Sequence, residues 1–300
     1  MTSRINIIGC GRAAGSLARL WVQAASVTIG DVTNRSESST HEAVHKIGAG
    51  TAVRNIKEMK PADFWLIGTS DDQVAEVTQS MAGLHQDLRG SLVFHLAGRF
   101  GLDILQPLVP SGALLAALHP VRSLTEAQIS VEDFTGTACV AEGPEDALSA
   151  LEPLFTSIGG TWLPVTGIDR GLYHAAVSII SNITKAVAWK AQKWQRKAGL
   201  PAETAAAVTH QLLNSTMEDL FRSGAKKSIS GPVVRGDTST IEAHLEAVRS
   251  THPEDIEVYR VLARTVLDLA QERGDLDEET WRRLDDLLVG ANSPALFKRE

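Results

Sequence analysis

Residues 5–18, Ile-Asn-Ile-Ile-Gly-Cys-Gly-Arg-Ala-Ala-Gly-Ser-Leu-Ala, constrain this chain more than any other stretch. An apolar, β-branched run opens at Ile5 and breaks into Gly9-x-Gly11-x-x-Ala14. The helical pattern Leu17, Leu20, Trp21 follows. Strand, tight turn and helix in that order are the setting a dinucleotide fingerprint requires. Gly9 permits the turn, Gly11 lets the backbone approach a pyrophosphate, and Ala14 lets the helix pack closely on the strand. The helix N-terminus, from Arg12 and Ala13 onward, then offers unpaired N–H groups and a positive dipole end to phosphates. Cys10 lies inside the turn, where a small packing residue fits better than a reactive thiol.

The remaining N-terminal half alternates strand-like and helix-like segments. Strands are expected at Val27–Val32, Asp63–Ile67, Leu92–Leu96, Ala113–Leu118, Thr137–Ala141 and Thr161–Pro164. Helices are expected at His41–Ile47, Asp71–Met81 and Glu145–Ile158. Short apolar runs between helical patterns predict a parallel sheet covered on both faces, an α/β Rossmann domain. Beyond about residue 166 the pattern becomes all-helical, with amphipathic stretches at Leu172–Lys197, Pro201–Ser223, Ser239–Arg249, Asp255–Arg273 and Glu278–Leu288. Two domains, 1–166 and 167–300, are expected. Pro201 reads as a first-turn proline and Ser239-x-x-Glu242 as a capping box.

Charge narrows the partners. The net charge of −7 lacks the basic footprint that nucleic acid requires. No apolar run approaches the roughly 18 residues of a membrane span, and no secretory pattern precedes the first strand. Two cysteines make no disulfide framework, so a cytoplasmic protein is expected.

The second strand ends in Thr33-Asn34-Arg35-Ser36. A carboxylate there would accept from a ribose 2′-OH; Arg35 and the Ser36 hydroxyl instead suit a 2′-phosphate. NADP (NADPH) is therefore expected over NAD, with Asp31, several residues earlier, as the counter-signal. Further contacts are expected from loops at strand carboxyl ends: Thr69, Ser70 and Asp71 after one strand, Ala97 and Gly98 after the next. As plain caps and turns these residues would need no ligand.

A second signal lies between Tyr173 and Trp189. In a segment made mainly of Ala, Val and Ile, the residues His174, Ser178, Ser181, Asn182 and Lys185 fall within an arc of about 100° at helical spacing. An apolar helix of this kind is expected to be buried, and the stripe then either bonds to protein or lines a substrate cleft. The third feature is Gly231-Pro232-Val233-Val234-Arg235-Gly236-Asp237, a bent loop whose Arg235 could fork onto a substrate carboxylate. Asp237 either joins it or caps the following helix. His119, in Leu118-His119-Pro120, either faces the cleft or is bonded in its turn. His41-Glu42-Ala43-Val44-His45 spells the zinc-protease pattern, but it falls where a covering helix is needed and has no third ligand at suitable spacing; no metal is expected.

These pieces together resemble a family of two-domain Rossmann-like oxidoreductases whose helical half is a domain of unknown function. The likeness rests on Gly9-Cys10-Gly11-Arg12, Asn34-Arg35-Ser36, Leu118-His119-Pro120, Tyr173-His174-Ala175-Ala176 with Ser181-Asn182, and the loop 231–237. The family looks like a branch of the 6-phosphogluconate dehydrogenase-like superfamily, related to ketopantoate reductase, pyrroline-5-carboxylate reductase and β-hydroxyacid dehydrogenases. Ala97 departs from the Ser expected before Gly98.

The resemblance implies an NADPH-dependent reductase of a small anionic 2-oxo acid, foremost 2-dehydropantoate in pantothenate synthesis. It also implies a homodimer built on the helical domain. His174, Ser178 and Asn182 repeat the i, i+4, i+8 spacing of the Lys and two Asn in ketopantoate reductases, so His174 would be the general acid, with Lys185 its competitor. Asn182 and Ser178 would orient the substrate, and Arg235, Asp237 and His119 would bind it. The alternatives are an imine or β-hydroxyacid dehydrogenase, or a non-catalytic NADP(H) sensor.

Overall fold

The computed structural model describes residues 3–84, 87–122 and 130–289. The chain divides into two compact units, 1–184 and 185–300.

The first unit is built on an eight-stranded sheet: β1 (Arg4–Ile8), β2 (Thr28–Thr33), β3 (Thr51–Ala52), β4 (Phe64–Ile67), β5 (Leu92–His95), β6 (Leu114–Pro120), β7 (Ala138–Glu142) and β8 (Thr161–Pro164). Its order is β3-β2-β1-β4-β5-β6-β7-β8. The first six strands reproduce the doubly wound order, with the chain reversing direction between β1 and β4. The expected all-parallel sheet needs one correction: β7 runs antiparallel to β6, pairing His119 with Val140, while β8 is parallel to β7. A direct return after β6 reverses the strand, and periodicity carries no information on direction.

The sheet is covered by α1 (Arg12–Gln23), α2 (Glu37–Ile47), α3 (Val74–Ala82), α4 (Val131–Phe134) and α5 (Glu145–Thr156). One core joins Ile5, Ile7, Leu17, Trp21, Phe94 and Phe155. A second joins Ile8, Trp65, Ile67, Val93 and Leu105. Alternate residues of β1 and β4 thus fill cores on opposite faces, as the two-residue period of a strand demands. Trp21 is fully buried, and its indole N–H donates to the Leu154 carbonyl at 2.8 Å. The 3-10 stretch Leu102–Ser111 holds Pro107 and Pro110, which obscure any helical period there.

The unit closes with α6 (Arg170–Ser178), capped by Asp169, followed by a π-helical turn, Ile179–Ile183. The Thr184 hydroxyl donates to the Ile179 carbonyl at 2.9 Å, matching the wider i→i+5 ring.

The second unit contains α7 (Thr184–Lys197, whose first residue ends the other unit), α8 (Ala202–Ser223), α9 (Ala225–Ser228), α10 (Thr238–Thr251), α11 (Ile256–Arg273) and α12 (Glu278–Val289). Two capping expectations are corrected. Pro201 is the N-cap of α8 rather than its first turn, and α10 starts on Asp237, whose carboxylate accepts from Thr240 N–H at 3.0 Å. Ser239 donates to that same carboxylate, so the box with Glu242 does not form. No helix among the described residues is long and apolar enough to cross a membrane.

Candidate functional site

The parallel strands present their carboxyl ends along one edge of the sheet, where a cleft of about 1200 Å³ opens over β1, β2 and β4. Gly9 makes its turn at φ +80°, and a Cβ there would lie 2.2 Å from Thr69 Cγ2 and 2.7 Å from Thr69 N. The loops after β1 and β4 therefore cross at a separation only glycine allows. Gly68 approaches equally closely: a Cβ on it would fall 2.4 Å from that of Ala14. Gly11, in contrast, is uncrowded at the N-cap of α1: a Cβ there would meet only the Gly68 carbonyl oxygen, at 3.8 Å, and Arg12 and Ala13 follow in the first turn. All three glycines line the cleft, as do Cys10, Thr69 and Ser70.

Asn34 lines the cleft too, but its side chain is already engaged. Its oxygen accepts from Cys10 N–H at 2.5 Å and its amide donates to the Ser39 carbonyl at 2.9 Å. It braces the glycine turn against the β2–α2 loop. Burial pushes the Cys10 thiol up to about 12, so it remains protonated and packs as an apolar group.

At the β2 end, Arg35 and Ser36 face the same cleft, and Ser36 is the N-cap of α2. Two cations not anticipated from sequence, Arg54 and Lys57, join them from the loop after β3. The short Thr51–Ala52 strand was the signal that could have located that loop at the same sheet edge. Asp31 lies elsewhere: it is buried within β2, 3.0 Å from Arg4, and accepts from Lys60 N–H at 2.7 Å. The electrostatic character of the β2 end is thus cationic, apart from Glu37 at 3.8 Å from Arg54.

Asp71, Ala97 and Gly98 do not line the cleft. Asp71 pairs with Arg99 at 3.4 Å, and Ala97 is buried. Ala97 N–H donates to His95 Nδ1 at 3.2 Å, so His95 carries its proton on Nε2 and donates to the Gly101 carbonyl at 3.1 Å. Burial holds His95 below the usual histidine range, and the neutral ring pins the loop after β5.

Gly98 leads to a second cluster at the ends of β5 and β6. A Cβ at Gly98 would lie 2.8 Å from His174 Cδ2 and 2.9 Å from His119 Cε1, so two imidazoles occupy the space a side chain would fill. Their rings meet edge-on with centroids 5.8 Å apart. His119 Nδ1 is hydrogen-bonded to the Tyr173 hydroxyl at 2.9 Å. Burial, with His174 and Arg170 adding repulsion, pulls His119 down to about 4. Arg170, one turn before His174, is buried and ion-pairs with Glu142 at 2.9 Å. Sequence reasoning missed Arg170 as an anchor, although its i, i+4 spacing to His174 places both on one helical face.

The predicted polar stripe is altered by the π turn, which breaks the uniform 3.6-residue register on which it rested. His174, Ser178 and Ser181 are half-buried; Asn182 and Lys185 are exposed, Lys185 in the second unit. The expected burial of the surrounding apolar residues is also corrected, since Leu172 is 70% and Ile180 76% exposed.

In the second unit, Arg235 is exposed on the 231–237 loop. That loop is held by Val233 in the local core and by Gly236, where a Cβ would meet Thr280 at 2.6 Å. Asp237 takes the capping role, one of the two expected of it. Its carboxylate accepts from Ser239, Thr240 N–H and the Thr240 hydroxyl, which hold it below the usual carboxylate range. On α2, His41 and His45 are exposed and Glu42 pairs with Lys46.

Known structures share this architecture. A Bacteroides fragilis protein, BF3122, assigned as an NADP oxidoreductase, is 20% identical with a TM-score of 0.71, covering 88% of this chain and 97% of its own. An imine reductase from Pseudomonas sp. is 16% identical with a TM-score of 0.64, covering 95% and 99%. A Plasmodium falciparum pyrroline carboxylate reductase with NADP bound is 13% identical with a TM-score of 0.58, covering 95% and 98%. No curated protein matches the sequence significantly. Residues 2–120 match the model of a Rossmann-like domain, and residues 137–266 match that of a domain of unknown function, DUF2520, which therefore begins on β7 of the sheet. The chain thus matches a Rossmann-like domain model and the DUF2520 model in tandem.

Proposed function

We propose that this chain is a cytoplasmic, homodimeric NADPH-dependent reductase of a small 2-oxo acid, with 2-dehydropantoate the leading substrate. The observation that carries the cofactor reading is the cleft. It joins a glycine turn open at Gly11 to a cationic β2 end, while the one acid of β2, Asp31, is buried against Arg4. These residues fit a phosphorylated dinucleotide: the α1 N-terminus would receive the pyrophosphate, and Arg35, Ser36, Arg54 and Lys57 the 2′-phosphate. Thr69, whose hydroxyl is buried without a partner, and Ser70 would border the ribose. When bound, the reduced nicotinamide supplies a hydride.

The groups of this chain supply the rest. His174, with Lys185 as the competing donor, protonates the developing alkoxide, a general-acid contribution of about 10²–10⁴-fold. Ser178 and Asn182 orient the polarised bond. The exposed apolar residues of α6 and the π turn, among them Leu172, Ile179 and Ile180, support burial against a second copy.

Reduction of a carbon–nitrogen double bond is the second reading, favoured by the structural likeness to imine and pyrroline carboxylate reductases. NADPH consumption by purified protein, offered 2-dehydropantoate, related 2-oxo acids and cyclic imines in parallel, separates the two. The expected result is turnover with an oxo acid, reduced about 10²-fold or more in His174→Ala and far less in Lys185→Ala. Failure to bind either pyridine nucleotide in a titration would overturn the proposal.

A further inference from the structure

The structure brings together two histidines that share one glycine but have different partners. Among the described residues, His174 makes no hydrogen bond through either ring nitrogen. Among the same residues His119 is bonded through Nδ1 alone, to the Tyr173 hydroxyl at 2.9 Å; its Nε2 lies beside Gly98, which has no side chain to cover it. Tyr173 is itself fixed. Its ring meets His119 edge-on with centroids 5.8 Å apart, and the Arg170 guanidinium stands 5.8 Å from its centroid. Arg170 is tied to Glu142 of β7 and to the Ala117 carbonyl of β6. The tyrosine hydroxyl is therefore held against His119 by a buried ion pair rooted in two strands.

We infer that Tyr173 is a positioning residue that fixes His119 as the neutral, Nε2-protonated tautomer, so that His119 donates a hydrogen bond to the substrate's carbonyl oxygen while His174 supplies the proton. The inference rests on the reductase reading above and assigns different tasks to the two imidazoles. A phenol that donates to Nδ1 leaves the ring's one N–H on Nε2, the nitrogen for which no partner stands among the described residues. Charged and titratable groups facing His119 are Arg170, Tyr173 and His174 on α6, with Glu142 of β7 neutralising Arg170 from the far side. The net effect of burial and the His174 and Arg170 charges is to disfavour the doubly protonated ring, and a ring that stays neutral can polarise a carbonyl without being consumed as an acid. Tyr173 is itself held above the usual phenol range by burial, so it remains a donor at neutral pH.

The test is nitrogen-15 NMR of histidine-labelled full-length protein, paired with steady-state kinetics. Wild-type His119 is expected to show a protonated Nε2 and an unprotonated Nδ1, unchanged between about pH 5.5 and 8. Tyr173→Phe, which keeps the ring and removes the hydroxyl, is expected to give a tautomer mixture and to lower kcat about 10-fold or more with KM little changed. His119→Gln, which retains an N–H donor, should recover more of kcat than His119→Leu, which should lose about 10²-fold.

A wild-type Nδ1-protonated ring, a ring titrating near an ordinary histidine midpoint, or an unaltered tautomer and kcat in Tyr173→Phe would each overturn the inference. The wild-type spectrum decides the tautomer even if that variant does not fold. Absence of turnover with an intact Nε2-protonated ring overturns the reductase reading and the donor role with it. Turnover with the other tautomer overturns this inference alone.

Discussion

The two units of this molecule bury apolar surface in different ways. In the first unit the sheet is filled on both faces: β1 and β4 feed a core on each, and Trp21, Trp65, Phe94, Phe134 and Phe155 are almost fully buried, so that most of its exposed large apolar residues gather on α6 and the π turn. The helical unit has one small core around Val233, Ile241, Leu245, Leu267 and Leu284. Its longest helix, α8, buries only Ala205 and Thr209, while Leu212 is 62% and Phe221 82% exposed. The polar groups differ as well. In the sheet unit they brace the turns at strand ends, as Asn34 does on Cys10 and His95 on Ala97; in the helical unit they brace helices, as Lys190 and the Trp194 indole do on Asp255. A sheet covered by helices is a finished core, whereas an exposed apolar helical face requires another surface.

The contrast is most severely tested at Gly9. Gly9→Ala would force a side chain into Thr69 and into a left-handed backbone conformation. Nucleotide affinity is expected to fall at least about 100-fold by fluorescence titration, a loss of about 3 kcal/mol, with the helical content of circular dichroism retained. An unchanged affinity would mean that the cleft does not hold the cofactor.

Acid should weaken the sheet unit through His119. Its folded pKa is lowered to about 4 from the ordinary 6.5, so the unfolded chain binds the extra proton between those values. The sign is therefore fixed: stability is full above about pH 6.5 and declines as pH falls toward 4, by at most about 3 kcal/mol. Denaturant unfolding across that window should show the loss, and His119→Asn should reduce it, leaving the share of His95, which burial also holds low. A profile that stays level in wild type would contradict the half-buried neutral ring.

The smallest expected effect sharpens the helical side. If α8 lies in a homodimer interface, Leu212→Glu should raise the dimer dissociation constant at least about 10-fold, consistent with about 1.5–3 kcal/mol for a buried leucine. Sedimentation equilibrium measures it. A monomeric wild-type protein at micromolar concentration would remove the explanation for the exposed face.

Local rules carried much of this far. Gly9, Gly11 and Ala14 announce the turn because close backbone approach excludes larger side chains, and no distant residue is needed to see it. The end of β2 was legible for the same reason, since Arg35 and Ser36 follow the strand directly. The residues that escaped notice act over long separations. Arg54 and Lys57 reach the cleft only because β3 pairs beside β2, and Glu142 meets Arg170 across 28 residues of chain. Asp237 was visible as a candidate, but only its bonds to Ser239 and Thr240 distinguish a cap from a ligand.

Sequence alone determined the alternation of strands and helices, the glycine turn and the helical second half, because each is written in nearest-neighbour sterics and in the period of apolar residues. Tertiary structure decided the reversal of β7, the π turn that breaks the polar stripe, and the meeting of His119, Tyr173 and His174 around Gly98. Those outcomes depend on which strands become neighbours and on what each buried polar group then finds within reach, and neither is encoded in any local window.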